Sequence, residues 1–492
     1  MKTRLLSLLL AGLMLYQLTA CSSSDTPGSD TTDDPAVGEA TTAPAGETSG
    51  VPEGTDFKGE TVNIWYTTKA SSLAETFVDL DPEQSGDILD DAIFDANIAV
   101  EEKLNLNLEF FNSGVPTSNT GTEIRKLILA DDTSYDVYHG VQWNCRDLVL
   151  EGLFYDGGDA PYLSLDKPWW DSDYMDAMSI GDDRVFALVG DYAVDRTRCL
   201  NCIYYNKNMF EDFYGDGDAL YQEVIDKKWT HDRLAEISAE VYSDVNNDGK
   251  ADRDDILGYC INDYNNLDGL FFGSGVRVSE RNKDGYPTLV LNNEITVDAI
   301  TSLYSLVFET EGVYFSGPKY EEDVKNRNKF AEGTSMFLHG FFYTAEAMRD
   351  MKDNYGIVPA PLLDEDQENY QSILHNIMRI MFLPNNCQKV DAVCAALEEL
   401  SFEGYQNVLP QYYDVLMKNK YARDDVSAEM IDIIRDTLLT DIGVIYSFNN
   451  LGNIHRLLIQ EKSSNFASKY ASSEEAALAK IQEYIALFEK ID

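Results

Sequence analysis

Three strand patterns decide the fold of this chain: TVNIWY at residues 61–66, LNLEF at residues 106–110 and YDVYH at residues 135–139. Residues 86–104 and 122–130 between them have helix patterns. In the first of these, one helical face carries Leu89, Ala92, Ile93, Ala96, Val100 and Leu104. The resulting β-α-β-α-β order predicts an α/β fold with a parallel sheet covered by helices. In such sheets, ligands bind beyond the carboxyl ends of the strands.

The N-terminus predicts export and attachment to a membrane. Lys2 and Arg4 precede the apolar segment Leu5–Leu18, which is short for a helix that must cross ~30 Å of hydrocarbon. Residues 1–20 are therefore predicted to be a signal peptide. Residues 18–21 read LTAC and resemble the bacterial lipobox, which implies that Cys21 carries the lipid. The alternative is an ordinary signal peptide that ends near a cysteine. We expect the protein on the extracellular face of the cell membrane, lipid-anchored.

Residues 21–56 are predicted to be a disordered, lipidated tether. Ser, Thr, Asp, Gly, Pro, Ala and Glu dominate this stretch, and no aromatic residue lies between Cys21 and Phe57. Such a composition buries too little apolar surface to offset the entropy of ordering the chain. The remainder of the chain is long enough for two large lobes.

The charge and the cysteines exclude some classes of function. The formal charge is −48, and removal of residues 1–20 leaves 36 basic and 86 acidic residues, or −50. A field of this sign repels nucleic acid, so we expect no nucleic-acid partner. Cys199 and Cys202 form a single C-x-x-C, and a zinc site would need a second pair or nearby histidines. Buried thiols in an apolar strand are therefore the favoured interpretation.

Residues 244–255 have the spacing of an EF-hand calcium loop. Oxygen-bearing side chains occupy positions 1, 3, 5, 9 and 12, a glycine occupies position 6, and position 7 offers a backbone carbonyl. The predicted ligands of one structural Ca²⁺ are Asp244, Asn246, Asp248, Lys250, Asp252 and Asp255. The aspartate at position 12, where a glutamate is usual, reaches less far toward the ion. The alternative is an acidic surface turn rich in Asx residues.

Several short segments, taken in order, carry a resemblance to a known family. They are Trp65-Tyr66-Thr67-Thr68, Tyr135-Asp136-Val137-Tyr138-His139-Gly140, Pro168-Trp169-Trp170-Asp171, Gly190-Asp191, Ile203-Tyr204-Tyr205-Asn206-Lys207, Trp229-Thr230, the calcium loop, Phe330 with Gly333-Thr334-Ser335-Met336, and Tyr355-Gly356-Ile357-Val358-Pro359. From about residue 59 to the end, the chain resembles the family 1 extracellular solute-binding proteins of ABC importers, which include maltose-binding-type receptors. Ser335 stands where this family usually has alanine.

The resemblance implies a type II periplasmic-binding-protein fold: two α/β lobes, each a mostly parallel sheet flanked by helices, with a ligand cleft between them. Lobe one is then residues 59–205 plus 331–373, and lobe two is residues 206–330 plus 374–492. The chain would cross between lobes near residues 205–207, near Phe330 and near residues 374–378. The implied function is capture of a solute, first of all an oligosaccharide, by a monomer that closes around it and delivers it to the permease of an ABC transporter.

The candidate ligand-binding residues are mainly aromatic. Trp65, Trp143, Trp169 and Trp170 lie at or near strand ends, where an aromatic ring can stack on a sugar. Core packing is the competing interpretation. By resemblance to loop positions of the family, the candidate set also includes Asp191, Tyr264, Phe341 and Phe342.

Two other classes of function remain open at this point. A secreted carbohydrate-active enzyme would need two carboxylates at a fixed separation, and with 86 acidic residues the sequence cannot identify such a pair. The sequence has no G-x-S-x-G, H-E-x-x-H or P-loop motif, and no catalytic residue is assigned. A calcium-dependent surface scaffold would instead have a protein partner and no small ligand.

Overall fold

A computed structural model describes residues 47–68, 80–181, 184–263, 265–418 and 425–491. Its strands are β1 (Glu60–Tyr66), β2 (Leu106–Asn112), β3 (Val137–Val141), β4 (Asn201–Asn206), β5 (Leu257–Asn262), β6 (Ser279–Arg281), β7 (Pro287–Leu289), β8 (Val313–Ser316), β9 (Ser335–Phe341), β10 (Tyr355–Val358) and β11 (Arg379–Phe382). Its α-helices are α1 (Ile88–Leu104), α2 (Thr120–Leu129), α3 (Gln142–Cys145), α4 (Ser172–Met178), α5 (Asp195–Arg198), α6 (Lys207–Tyr214), α7 (Ala219–Ile225), α8 (His231–Val241), α9 (Asn265–Gly273), α10 (Glu294–Phe308), α11 (Tyr320–Ala331), α12 (Phe342–Glu346), α13 (Val390–Glu403), α14 (Leu409–Lys418), α15 (Asp425–Asp436), α16 (Ile442–Tyr446), α17 (Ile454–Gln460) and α18 (Phe466–Phe488). Within the described ranges, none of these helices combines the length and apolar character needed to span a bilayer.

The first predicted helix shows how local sequence sets the elements. The carboxylate of Asp87 caps α1 by accepting a hydrogen bond from the backbone N–H of Leu89 at 3.0 Å. The helix ends at Asn105, which has a left-handed backbone with φ 47°. The face predicted to be apolar is buried against the first sheet, except for Ala92, which is half-buried. The spacing of apolar residues therefore predicted this helix and its buried side correctly.

The first sheet has the order β11-β3-β1-β2. β1 pairs in parallel with β2 and with β3, as the β-α-β-α-β pattern predicted, and Trp65 lies opposite Tyr138. β11, from a distant part of the chain, adds an antiparallel edge next to β3. Helices α1 and α13 pack against each other, and α13 also contacts β1. We call this sheet with its helices the first lobe.

The second sheet has the order β10-β4-β9-β5-β8. β5 pairs in parallel with β8 and β9, whereas β4 is antiparallel to both β9 and β10. Helices α8 and α11 pack on this sheet, and β6 and β7 form a separate small hairpin. We call this sheet with its helices the second lobe. The predicted α/β class with two lobes is confirmed, and both sheets are mixed.

The predicted lobe boundaries differ from the strand pairing and are corrected here. β4, β9 and β10 were assigned wholly or largely to lobe one, but all three lie in the second sheet. β11 was assigned to lobe two, but it pairs with β3 in the first sheet. The chain therefore does not cross near residues 205–207 or near Phe330. It enters the second sheet between β3 and β4 and returns to the first between β10 and β11, through the predicted crossing at residues 374–378.

The last part of the predicted tether is ordered and packs on the first lobe. Val51 is buried, and the backbone N–H of Gly50 donates to the Glu398 carboxylate at 2.8 Å. The hydroxyl of Ser49 bonds to Glu399, the next residue of α13. Residues 47–51, named here the N-terminal strap, therefore belong to the folded body. The sequence did not show this because the acceptors lie about 350 residues further along the chain. Cys21 and the preceding signal segment lie outside the described residues.

Candidate functional site

A cavity of about 910 Å³ lies between the two sheets. The segments after β3, after β5 and after β8 form its walls, and these are the carboxyl ends of strands in both sheets. Its lining residues are Thr117, Ser118, Val141, Trp143, Asn144, Asn262, Asn265, Asn266, Pro318, Lys319, Tyr320, Glu321, Glu322, Asp323, Lys325, Phe341, Tyr343, His375, Asn376 and Ile377. The position and size fit a small-molecule site and match the edge predicted from the β-α-β pattern.

Two connections between the lobes run side by side next to this cavity. Leu200 and Leu374 form an antiparallel bridge. The backbone N–H of Asn201 donates to the carbonyl of Ile373 at 3.0 Å, and that of His375 donates to the carbonyl of Cys199 at 2.8 Å. This short ribbon connects the lobes and places His375 on the cavity wall. A change in the angle between the lobes would have to act through this ribbon.

An aromatic cluster forms one wall of the cavity. The rings of Phe341 and Tyr343 are stacked, with centroids 5.3 Å apart and an interplanar angle of 20°. The imidazole of His375 lies 4.6 Å from the Phe341 ring. With Ile377, these aromatics form a small apolar cluster that is separate from the main core. Flat apolar surface beside polar groups is the arrangement that binds the faces of ring-shaped polar ligands.

Trp143 contributes aromatic surface from the first lobe. It follows β3 directly, is half-buried, and its backbone N–H donates to the Asn376 carbonyl at 3.2 Å. The guanidinium of Arg146 lies 3.5 Å from the centroid of the Trp143 ring. This cation–π contact fixes the indole on one face. Trp143 is thus held firmly while it still lines the cavity.

Amide and carboxylate groups from the second lobe supply the polar part of the wall. The Asn262 amide donates to Asp323 at 3.1 Å. Burial raises the pKa of Asp323 to about 6, although the charge of Arg327 acts in the opposite direction. Glu322 is instead paired with Lys325 at 2.7 Å and with Arg253 at 2.8 Å, and hydrogen bonds from these cations lower its pKa. The cavity therefore offers amides and three carboxyl groups, of which Asp323 is weakly acidic, and such groups suit hydroxyl-bearing ligands.

Of the candidate ligand-binding residues that the structure describes, two line the cavity: Trp143 and Phe341. Trp65 is 1% exposed within β1, and its ring packs on Tyr138 with centroids 5.9 Å apart. Phe342 is fully buried at the start of α12. Trp65 was predicted to lie at a strand end and Phe342 in a family-like loop, but both side chains are buried in the core. Tyr264 lies outside the described residues.

The remaining three candidates lie in the core of the first lobe. Trp169 is fully buried and packs edge-on against Phe402, with centroids 5.2 Å apart. The indole N–H of Trp170 donates to the buried Glu398 carboxylate at 2.8 Å. Burial raises the pKa of Asp191 to about 7, against the charge of Arg196. The assignment of these residues to the ligand site is wrong, because they hold the first lobe together.

The cavity residues that sequence reasoning missed are mostly polar: Asn144, Asn262, Asn265, Asn266, His375 and Asn376, with the aromatic Tyr343. A signal for three of them exists in the sequence. An apolar strand, residues 257–261, runs directly into a cluster of asparagine and aspartate at residues 262–266. Polar side chains that follow a buried strand of a parallel sheet point to a site. For His375 and Asn376 we find no comparable signal.

The predicted calcium loop has EF-hand-like backbone geometry but does not gather its carboxylates. Asn247 and Gly249 adopt left-handed conformations, with φ 61° and 76°. Asp244 accepts hydrogen bonds from the backbone N–H groups of Asn247 at 2.6 Å and Gly249 at 2.9 Å. Among the residues that the structure describes, no group of three or more His, Cys, Asp or Glu side chains could hold a metal ion. The carboxylates cap the loop backbone, so calcium binding stays a prediction.

The cysteines of the C-x-x-C are both buried, Cys202 within β4 and Cys199 just before it. Burial raises the pKa of the Cys202 thiol above its usual range. A buried thiol of this kind is neither a good nucleophile nor a metal ligand. This location agrees with the favoured interpretation of buried thiols in an apolar strand.

Comparisons with known proteins give matches in structure alone. No protein-family model matches the sequence, and no match is found among curated proteins. A cyclo/maltodextrin-binding protein complexed with maltotetraose shares 12% identity over 87% of this chain and 98% of its own, with a TM-score of 0.54. The maltose-binding periplasmic protein MalE from Listeria monocytogenes, in complex with maltose, shares 14% identity over 87% and 98%, with a TM-score of 0.54. The GacH receptor of Streptomyces glaucescens GLA.O, solved in complex with acarbose, shares 14% sequence identity over 88% of this chain and 100% of its own, with a TM-score of 0.52. At these identities the likeness shows that the chain has the two-lobed fold of these binding proteins.

Proposed function

We propose that this chain, which has the fold of sugar-binding receptors, captures an oligosaccharide and delivers it unchanged to an ABC importer. The observation that carries the proposal is the cavity of about 910 Å³ between the carboxyl edges of the two sheets, with its stacked Phe341 and Tyr343 rings. Aromatic surface with surrounding amides fits a neutral, hydroxyl-rich ligand. The sugars in the compared structures support the same class of ligand.

Isothermal titration calorimetry tests this proposal directly. The chain from residue 22 onward would be titrated with maltose, maltotetraose and acarbose. Saturable binding of one sugar per chain is expected, with a rise in melting temperature, because a ligand of the native state adds RT ln(1 + [L]/Kd) to stability. Absence of binding to every sugar tested would contradict an oligosaccharide ligand.

The same samples separate a receptor from a carbohydrate-active enzyme. A receptor leaves the bound sugar intact, so the concentration of reducing ends should not rise over hours at stoichiometric protein. Release of reducing sugar in proportion to time and enzyme concentration would favour the enzyme. A protein partner without any small ligand would favour the surface scaffold.

Attachment to a membrane through Cys21 is part of the same proposal, since a receptor must stay near its permease. In cells, Cys21→Ala should move the protein from the membrane fraction to the medium. Substitution of serine, threonine or alanine residues elsewhere in the tether should leave the protein attached to the membrane. We also propose that the receptor is a monomer, which light scattering after gel filtration checks.

Calcium binding by the loop at residues 244–255 is a separate proposal. Its support is the EF-hand spacing and the left-handed Asn247 and Gly249. Binding would require the carboxylates to turn toward a common point, since a carboxylate that accepts from a backbone N–H still has lone pairs for an ion. Titration with Ca²⁺ after chelation should show one site that Asp248→Ala removes. The alternative, an Asx-rich turn, predicts the same stability with Ca²⁺ and with chelator.

A further inference from the structure

The second lobe brings three carboxyl groups to the cavity wall, and one of them differs from the other two. Glu321, Glu322 and Asp323 follow each other in the first turn of α11. Glu321 is exposed to solvent, and Glu322 is held by ion pairs with Lys325 and Arg253. Asp323 is half-buried and forms no ion pair with any residue that the structure describes. It is therefore the shielded carboxyl of the wall that lacks a cationic partner.

Asp323 keeps acceptor capacity free for a ligand. Its Oδ1 accepts a hydrogen bond from the amide of Asn262 at 3.1 Å. Within the described ranges, no second donor is bound to this carboxyl. An ionised carboxylate has about four acceptor positions on its two oxygens, so one hydrogen bond leaves most of them unused. A ligand that enters the cavity can fill them.

A cation one turn further along the same helix does not use this capacity. Arg327 is 9% exposed, and its Nη1 is buried without a hydrogen-bond partner among the described residues. Side chains four residues apart on a helix can pair, but Asp323 is bound to the Asn262 amide instead. Burial raises the pKa of Asp323 to about 6 against the charge of Arg327. A shielded carboxyl with a raised pKa and spare acceptors, in a cleft, is characteristic of a functional site.

Asp323 also lies near the aromatic cluster of the cavity. Burial and the charge of Asp323 both raise the pKa of Tyr343 above its usual range, which places the two side chains in the same part of the wall. The ring of Tyr343 is stacked on that of Phe341, and both residues line the cavity. A sugar ring that stacks on an aromatic face directs its hydroxyl groups outward from its edge. A carboxylate beside the aromatic surface is in a position to receive one of them.

We propose that Asp323 is a specificity-determining residue of the ligand site, whose carboxylate accepts a hydrogen bond from a hydroxyl group of the sugar ring stacked on Phe341 and Tyr343. This inference rests on the proposed function. Hydrogen bonds to an ionised group are about twice as strong as neutral ones. The carboxylate therefore selects a sugar with a free hydroxyl at this position over one that is substituted or deoxygenated there, whereas the aromatic surface alone would accept both.

Asp323→Asn tests this role, because it preserves the shape of the side chain and an acceptor for Asn262 but removes the charge. Asp191→Asn is the matched control: burial raises the pKa of Asp191 to about 7, and this residue does not line the cavity. At pH 8, removal of either shielded charge should leave the melting temperature at or above that of the wild type. Calorimetric titration with maltotetraose at pH 8 should give a Kd about tenfold weaker for Asp323→Asn. The Kd of Asp191→Asn should equal that of the wild type.

The pH dependence of the wild type gives a second readout that needs no variant. A ligand that binds the ionised carboxylate has its full affinity above the pKa of Asp323 and loses it as the pH falls through that value. The groups that interact with Asp323 are the amide of Asn262, the guanidinium of Arg327 and the phenol of Tyr343, and none of these changes its charge between pH 5 and pH 8. Burial lowers the pKa of His375, on the cavity wall, to about 3, so its ring stays neutral over this range.

The Kd of the wild type for maltotetraose should therefore weaken about tenfold from pH 8 to pH 5, toward that of Asp323→Asn, whose Kd should stay constant. Titration elsewhere in the cavity would act on both proteins, so an equal pH dependence in the two overturns the proposal. An unchanged Kd in Asp323→Asn at pH 8 also overturns it, and a lowered melting temperature would then indicate that the carboxylate pairs with Arg327. If the wild type binds no sugar at either pH, the proposed function fails and the role of Asp323 fails with it.

Discussion

Trp65 lies in β1 and Trp143 follows β3, the neighbouring strand of the first sheet, and only Trp143 reaches the cavity. Trp65 is still inside β1, opposite Phe111 and Tyr138, and its side chain is buried between the sheet and its covering elements. Trp143 comes after β3 has ended, where the chain turns into α3. In the first sheet, the tryptophan that lines the cavity is therefore the one that follows its strand, and the one within its strand is buried.

The largest effect should come from Trp65→Ala. Removing a fully buried aromatic ring leaves a void, and such substitutions cost about 3–5 kcal/mol of unfolding free energy. Urea unfolding followed by circular dichroism measures this loss. Any molecules that remain folded should bind sugar with wild-type affinity. A Trp65→Ala protein that keeps its stability but has lost sugar binding would contradict this prediction, because Trp65 would then act at the ligand site and not in the core.

Glu398→Gln extends the comparison to the Trp170 side of the first lobe. The Glu398 carboxylate accepts from Gly50, Ser164 and Trp170 at 2.8, 3.1 and 2.8 Å. An amide has one acceptor oxygen, so at least one buried donor loses its partner, at about 1–3 kcal/mol. The unfolding free energy should fall by this amount, without loss of affinity.

A shortened chain that lacks the N-terminal strap should behave in the same way as Glu398→Gln, because it removes the donors Gly50 and Ser49. Glu475→Gln, on the exposed face of α18, is the control for Glu398→Gln and should leave the free energy of unfolding unchanged. If the shortened chain is as stable as the full one, the strap is not part of the folded body.

Trp143→Ala should show the opposite behaviour to Trp65→Ala. The ring lines the cavity and is only half-buried, so its loss should weaken sugar binding about tenfold or more, which is about 1.4 kcal/mol. Loss of the contact with Arg146 should cost about 0.5–2 kcal/mol of stability. Calorimetric titration and thermal melts check the two quantities separately. Unchanged affinity would remove Trp143 from the ligand site.

The effect of Asp191→Asn on stability is expected to depend on pH and to vanish near pH 4. Burial raises the pKa of Asp191 to about 7 in the folded protein. The protonated form is favoured on folding, so the contribution of this group is fully present below about pH 4 and is lost as the pH rises to about 7. Urea unfolding of the variant should match the wild type near pH 4 and exceed it at pH 8. The same difference at both pH values would contradict a buried, titrating Asp191.

The first three strands and their helices could be predicted from sequence because their partners lie close along the chain. β1, β2 and β3 pair in parallel in the expected order, and α1 buries the expected face. Of the later strands, β4, β9, β10 and β11 were assigned to the wrong lobe. A short apolar run can indicate a strand such as β9 or β10, but it carries no information about which of two sheets accepts it.

By itself, the sequence determined the α/β class, the parallel core of the first sheet, and the edge where a ligand would bind, since local periodicity and strand order fix these features. Only the tertiary structure decided which side chains form the site. Burial of Trp65, Trp169 and Trp170 depends on what packs over them, from Phe402 and Glu398 to the N-terminal strap. The hydrogen bond between Asn262 and Asp323 joins residues 61 positions apart, and no local pattern specifies a pair at that separation.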